Sequence, residues 1–187
     1  MTPLRDYFHS FGFPAEDVGK VCAAFQQKTV AKGEYLVRAG TVNQSLGFIE
    51  RGAFQYFYDH DGDELTTYLV GQHGFVAALS SFLLQIPAKE NIRALTDAEV
   101  WLLPRSRFNE LLQDLPRFKD FYIQVLEHQL VCIENSRFDF ITMTAEQRYQ
   151  KLITEEAELL QQIPLQYLAS VLGVTPRHLS RIRRKIV

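Results

Sequence analysis

Cysteine is scarce: the chain of 187 residues has two, Cys22 and Cys132, far apart in sequence. They offer no C-x-x-C pair, no zinc spacing and no disulfide framework, and an iron–sulfur cluster held by four cysteines of one chain is excluded by count. A reducing, cytoplasmic setting is therefore expected. Long apolar runs are also missing, so no membrane-spanning helix and no membrane partner are expected. The opening MTPLRDYFHS places Arg5, Asp6 and His9 where a signal peptide needs an apolar stretch. Histidines do not cluster: His60 and His73 stand alone without H-x-H spacing, which argues against a metal enzyme. Net charge is small as well, at −2, and argues against a chain that coats nucleic acid or anionic lipid by bulk electrostatics.

What is present suits an ordinary globular protein. Hydrophobic residues make up 47% and charged residues 22%, enough apolar surface for a core. The length fits one compact domain or two small ones. Residues 4–27 place Tyr7, Phe8, Phe11, Val18, Val21, Cys22 and Phe25 near helical spacing, interrupted at 12–14, and predict two short helices. From Lys28 the pattern changes to short β-branched and aromatic runs punctuated by glycines. GAFQYFYDHDGDELTTYLV predicts a hairpin with Gly62 in its turn. Residues 29–103 are expected to form a small β-roll.

Beyond Pro104 the helical period returns. Phe108, Leu111 and Leu112 predict a short helix ending before Pro116, because the residue preceding proline is pushed out of the helical region. The next helix is expected over 116–138. Phe118, Tyr122, Val125, Gln129, Cys132 and Ser136 step by four and three, and Phe121, Leu126, Leu130 and Ile133 widen the apolar face. A face this broad suits a helix that packs on its own roll and on a second copy of itself, giving a homodimer. The alternative is a helix buried inside a monomer. Residues 143–162 read as a polar helical connector.

Residues 163–186, IPLQYLASVLGVTPRHLSRIRRKI, predict two helices and a tight turn. Pro164 suits a first helical position, and Thr175–Pro176 repeats that arrangement as N-cap and first residue. Gly173 can take the left-handed conformation at the turn. Leu165, Leu168, Ala169 and Leu172 form one inward stripe; Leu179, Ile182 and Ile186 form the stripe that meets it. Arg177, His178, Arg181, Arg184 and Lys185 share the outer face of the second helix at spacings of three and four. Residues 163–187 hold five Lys or Arg and no carboxylate, whereas residues 1–162 hold 15 Lys or Arg against 22 Asp or Glu. The chain divides into +5 and −7. This is the pattern of a helix-turn-helix whose second helix enters the major groove of double-stranded DNA, where arginine donates two hydrogen bonds to guanine and other cations meet phosphates.

With that cassette, AKGEYLVRAGT, FIERGAF, IRALTDAEVWLLPRSRFNELL, TAEQRYQKL and LGVTPRHLSRIR, the chain resembles the Crp/Fnr family of transcription regulators over residues 5–187. The resemblance implies an α+β fold: a jelly-roll-like, cyclic-nucleotide-binding-like β-roll with flanking helices over 1–115, a dimerisation helix over 116–142 and a helix-turn-helix domain over 143–187. It implies a non-enzymatic, homodimeric, sequence-specific regulator, with RNA polymerase as a candidate further partner. Thr175, Arg177, His178, Ser180, Arg181, Arg184 and Lys185 are the expected DNA-binding residues. The alternative is a small-molecule-sensing module with a conformational or protein–protein output.

Three departures bear on these expectations. Relatives that bind cyclic AMP hold its phosphate with a Gly-Glu pair and with an Arg followed by Ser or Thr. Here the latter positions fall on Ala88 and Lys89, and GQHGFVAALSSF supplies no Glu, so cyclic AMP binding in the family's manner is not expected. No other cofactor follows: His9, His60, His73 and His128 read as surface or turn residues, and Phe48, Phe54, Tyr56, Phe57, Tyr58 and Tyr68 as the roll's own core, with an apolar effector cavity as the alternative. Members that read a TGTGA-type half-site carry Arg and Glu where this chain has Pro176 and Arg177. Too little sequence separates Gln150 from Ile163 for a β-hairpin wing.

Overall fold

The computed structural model describes residues 2–186, apart from the side chain of Glu158. Helices α1 (Pro3–Ser10) and α2 (Ala15–Ala23) are separated where Gly12 takes φ +73° and Pro14 caps the second helix. Then come β1 (Gln26–Val30), β2 (Tyr35–Val37), β3 (Ser45–Arg51), β4 (Phe54–His60), β5 (Asp63–Val70), β6 (Phe75–Val76), α3 (Leu79–Leu84), β7 (Asn91–Ala94) and β8 (Ala98–Pro104). They form two four-stranded antiparallel sheets, ordered β1-β8-β3-β6 and β2-β7-β4-β5. Val30, Ile49, Phe54, Ile92 and Val100 fill the space between them. The expected hairpin joins β4 to β5 through Asp61 and Gly62, both at positive φ (52° and 90°), as a tight two-residue turn requires.

The α4 helix (Arg105–Asp114) stops at Leu115, which is extended (φ −127°, ψ 91°) ahead of Pro116. The α5 helix (Pro116–Thr142) has 27 residues, four beyond the expected end, and spans about 40 Å at 1.5 Å per residue. Phe118 and Phe121 are buried with Phe8, Phe82, Leu103 and Phe108, and Tyr122 and Val125 pack against that cluster. The rest of α5 is not buried within its own chain. Leu130 (67%) and Ile133 (56%) stand exposed. The stepped face expected from Phe118 to Ser136 therefore splits. Its first part faces the roll, while Ile123, Leu126, Leu130, Ile133, Arg137 and Phe140 recur at alternating spacings of three and four on an open face.

Helices α6 (Ala145–Glu155), α7 (Ala157–Gln162), α8 (Leu165–Val171) and α9 (Pro176–Ile186) complete the chain. Residues 143–162 are more than a connector. Tyr149 is 5% exposed, and Leu152, Ile153, Leu159 and Leu160 pack around the core of α8 and α9. Polar residues dominate the segment, but the few apolar ones fall on one side and meet a tertiary surface that local patterning does not reveal. The same cluster takes in Ala53, Leu69 and Leu95 of the roll. Where they meet, the edge strand β5 gives its Thr66 N–H to Ser170 Oγ at 2.9 Å, so α8 covers an edge that would otherwise lie open.

Gly52 combines a left-handed backbone with close backbone neighbours: φ is +105°, and a methyl group there would sit 2.6 Å from Ala98 Cβ and 2.9 Å from Ala98 Cα. Gly52→Ala should lower the unfolding free energy by about 2–4 kcal/mol in urea denaturation. Gly33→Ala (φ +84°, with open space around it) should cost only about 1 kcal/mol. Equal losses at both would mean that packing at Gly52 is slack.

Candidate nucleic-acid interface

The last two helices are built as their residues dictate. Pro164 sits one position earlier than expected, as the extended residue before α8 (ψ 141°). At the other end Gly173 (φ +68°) donates its N–H to Ser170 O and Val174 donates to Ala169 O, both at 2.9 Å. This pair of bonds satisfies two terminal carbonyls and reverses the chain. Thr175 then caps α9: its Oγ1 accepts the His178 N–H at 3.2 Å, and Pro176 occupies the first helical position, where a missing N–H costs nothing. Leu168, Ala169, Leu172, Leu179 and Ile182 are buried between the helices, while Leu165 and Ile186 are half-buried at the ends of the stripes.

That packing settles which way α9 faces. Arg177, His178, Arg181, Arg184 and Lys185 are all exposed, and so is Thr175, whose hydroxyl is already engaged in the cap. Ser180 is half-buried at the margin of this face. Arg183, not among the expected contacts, is also exposed, on the flank. Among the described residues one ion pair touches the face, Lys185 Nζ to Glu146 at 3.9 Å; Arg177, Arg181 and Arg184 have none. Their guanidinium groups keep their full donor capacity for an external anion or base edge.

Arg148 is the residue that sequence reasoning missed. From α6 it donates to Met143 O at 2.6 Å and to Leu172 O at 2.8 Å, fastening the first turn of α6 to the end of α8, and its guanidinium lies over the Phe140 ring. Nothing in a polar helical segment marks one arginine for this role. Among the described residues the segment from α6 to α9 contains no strand, and α7 fills the sequence before α8.

In the roll, Ala88 is 4% exposed and Lys89 is exposed, so no guanidinium occupies the place that the resemblance assigned to a phosphate. Phe48, Phe54, Tyr56 and Phe57 are core residues as expected, but Tyr58 and Tyr68 are exposed, which corrects part of that set. Among the described residues no three His, Cys, Asp or Glu side chains gather as metal ligands.

Comparison with known proteins places this architecture. Residues 27–114 match the family described as the cyclic nucleotide-binding domain. No curated protein matches the chain. Among solved structures, FixK2 from Bradyrhizobium japonicum superposes with a TM-score of 0.76 at 14% identity, over 87% of this chain and 84% of that one. The c-di-GMP-responsive global regulator CLP from Xanthomonas campestris gives 0.71 at 18% identity, over 92% and 91%. A transcriptional regulator of the Crp/Fnr family from Eubacterium rectale gives 0.67 at 14% identity, over 93% and 83%. At such identities the likeness is one of fold.

The cap on α9 has a measurable consequence. Thr175→Ala should destabilise the C-terminal helices by about 1 kcal/mol, read as faster amide exchange in α9. Unchanged exchange would show that packing alone holds the helix.

Proposed function

We propose that this chain, whose residues 27–114 match the cyclic nucleotide-binding domain family and whose fold is that of Crp/Fnr regulators, is a homodimeric, sequence-specific DNA-binding transcription regulator. The observation that carries the reading is the face of α9: a capped, well-packed helix that turns three unpaired arginines, a histidine and a lysine outward from a chain that is otherwise net acidic. The face has the width of one helix, so it meets a groove rather than a flat surface. Arg177, His178 and Arg181 lie toward the N-terminal half of α9 and take the base edges. Arg184 and Lys185 take phosphates, with Thr175 and Ser180 supporting at the margin. No carboxylate on this face accepts from cytosine, so the operator differs from the TGTGA type. With α7 in place of a wing, phosphate contacts are fewer, and affinity falls less steeply with salt.

The open stripe on α5 supports the dimer. Ile123, Leu126, Leu130 and Ile133 follow the spacing of a two-stranded coiled coil, and leaving Leu130 and Ile133 in water gives up burial of about 1.5–3 kcal/mol each. In this reading residues 1–115 are the sensing or structural domain, 116–142 the dimer helix and 143–187 the reading domain. Cyclic AMP is not the effector in the family's manner, because Ala88 and Lys89 leave its phosphate without a bidentate partner.

Selection of genomic fragments by the purified protein should return a palindromic site, and Arg181→Ala should lose about 1–3 kcal/mol at one base pair, as a bidentate guanine contact requires. A loss spread evenly over all sequences would assign Arg181 to phosphate, and no DNA binding even at low salt would refute the reading. Leu130→Glu should convert the dimer to monomer in sedimentation velocity; a wild-type chain that already sediments as a monomer would refute the paired helices.

A further inference from the structure

A cavity of about 330 Å³ lies between the roll and α5. Tyr68 from β5, Leu79 and Leu83 from α3, and Tyr122, Val125 and Leu126 from α5 line much of it. Among the described residues no Lys, Arg or His reaches its wall. Its acidic group is Glu90, and its remaining polar side chains include Ser80 and Gln129. Tyr56 also lines the cavity, but its hydroxyl is spent on the backbone of Ala77, accepting the N–H at 3.0 Å and donating to the carbonyl at 3.3 Å. Lys89 lines a separate, more open depression that shares Ser80 and Glu90 with the cavity.

We propose that this cavity is a site for a small, uncharged aromatic or alicyclic molecule carrying a hydrogen-bond donor, and that Glu90 accepts from that donor. The volume lies at the lower end of the range for small-molecule sites, about 300–1,000 Å³, and suits a ligand of two or three rings. An anion brought here would lose its hydration with no cation to replace it and would face a carboxylate. A nucleotide phosphate is excluded on the same ground. Glu90 accepts one hydrogen bond, from Thr67 Oγ1 at 3.2 Å, and retains acceptor capacity for the ligand. Burial pushes its carboxyl upward, consistent with a wall that is poorly hydrated.

The mouth of the cavity gives the site a partner. Leu126 and Ile133 line it and also belong to the open stripe of α5, so a second copy docked on that stripe covers the ligand. This cover rests on the dimer reading above; the cavity and its polarity do not. A bound molecule then bears on the distance between the roll and the paired helices.

Two dyes with one skeleton test the assignment, in titrations that contain no DNA. N-phenyl-1-naphthylamine is neutral with a single N–H donor, and 8-anilinonaphthalene-1-sulfonate adds an anionic group to the same rings. The first should bind saturably with one molecule per subunit, the second at least about tenfold more weakly, and Glu90→Gln should narrow that gap by at least about threefold, leaving the part due to lost hydration of the sulfonate. Val125→Trp fills the cavity and Gln129→Trp its rim, the latter from an exposed position that leaves folding alone. Each should weaken the neutral dye at least about tenfold. Equal affinity for both dyes, displacement of the neutral dye by equimolar cyclic AMP, or indifference to both tryptophans would overturn the proposal. Because DNA is absent, these results stand apart from success or failure of the DNA-binding reading; sedimentation of the same samples separates loss of the dimer from loss of the site.

Discussion

The α5 helix carries more apolar surface than its own roll can cover, and the rest of the molecule is arranged around that excess. Its first two turns are anchored by Phe118 and Phe121, buried among Phe8, Phe82 and Phe108 in edge-on ring contacts such as Phe8–Phe121 at 5.2 Å. Farther along, the helix leaves the roll, and its apolar residues turn onto a different face. In the proposed dimer a second α5 buries that excess and uses the heptad spacing as it stands. A pair of such helices fixes the separation of whatever is attached to their ends, and α6 to α9 are attached there through Arg148 and Lys151, the latter paired with Asp139 of α5 at 2.5 Å.

Strand β5 links the two halves of the chain. Thr66 is held by Ser170 of the cassette, Thr67 donates to Glu90, and Tyr68 lines the cavity against α5. Three successive residues of one edge strand therefore touch the C-terminal helices, the acidic group of the cavity and the cavity wall. Beneath them Gln55, fully buried, donates to Thr66 Oγ1 at 2.8 Å and accepts from Arg93 at 2.8 Å, while Arg93 also pairs with Glu64. A buried network with every member satisfied resists local rearrangement, so displacement of β5 moves α8 with it. The charge division acts at longer range: in the proposed reading the acidic body repels nucleic acid, and the approach is left to α9.

Local signals proved reliable wherever one residue dictates backbone geometry. Gly12 and Pro14 separate α1 from α2, Asp61–Gly62 make the hairpin, Leu115–Pro116 divides α4 from α5, and Gly173 with Thr175 punctuates the final helices. The basic face of α9 was readable because capping, apolar stripes and charge agree there. What stayed hidden depends on distant partners. Tyr149 lies in a segment that is polar on average, and Ser170 meets Thr66 across 104 residues. The division of α5 into a roll-facing and an open stripe also needs the position of the roll, since both stripes read alike as apolar periodicity. Tyr56 and Tyr68 are neighbours across the β4–β5 pair, yet one is core and the other exposed. Glu90 looks like any loop carboxylate until α3 and α5 are placed around it.

The central claim is that paired α5 helices hold two α9 helices at the spacing of successive major grooves on one face of DNA. Hydroxyl-radical footprinting of the complex on its selected operator tests it most directly. The account predicts two protected half-sites related by a dyad, with centres about one helical turn, roughly 34 Å, apart. A single protected patch without dyad symmetry, or half-sites whose separation is not a whole number of turns, would contradict it.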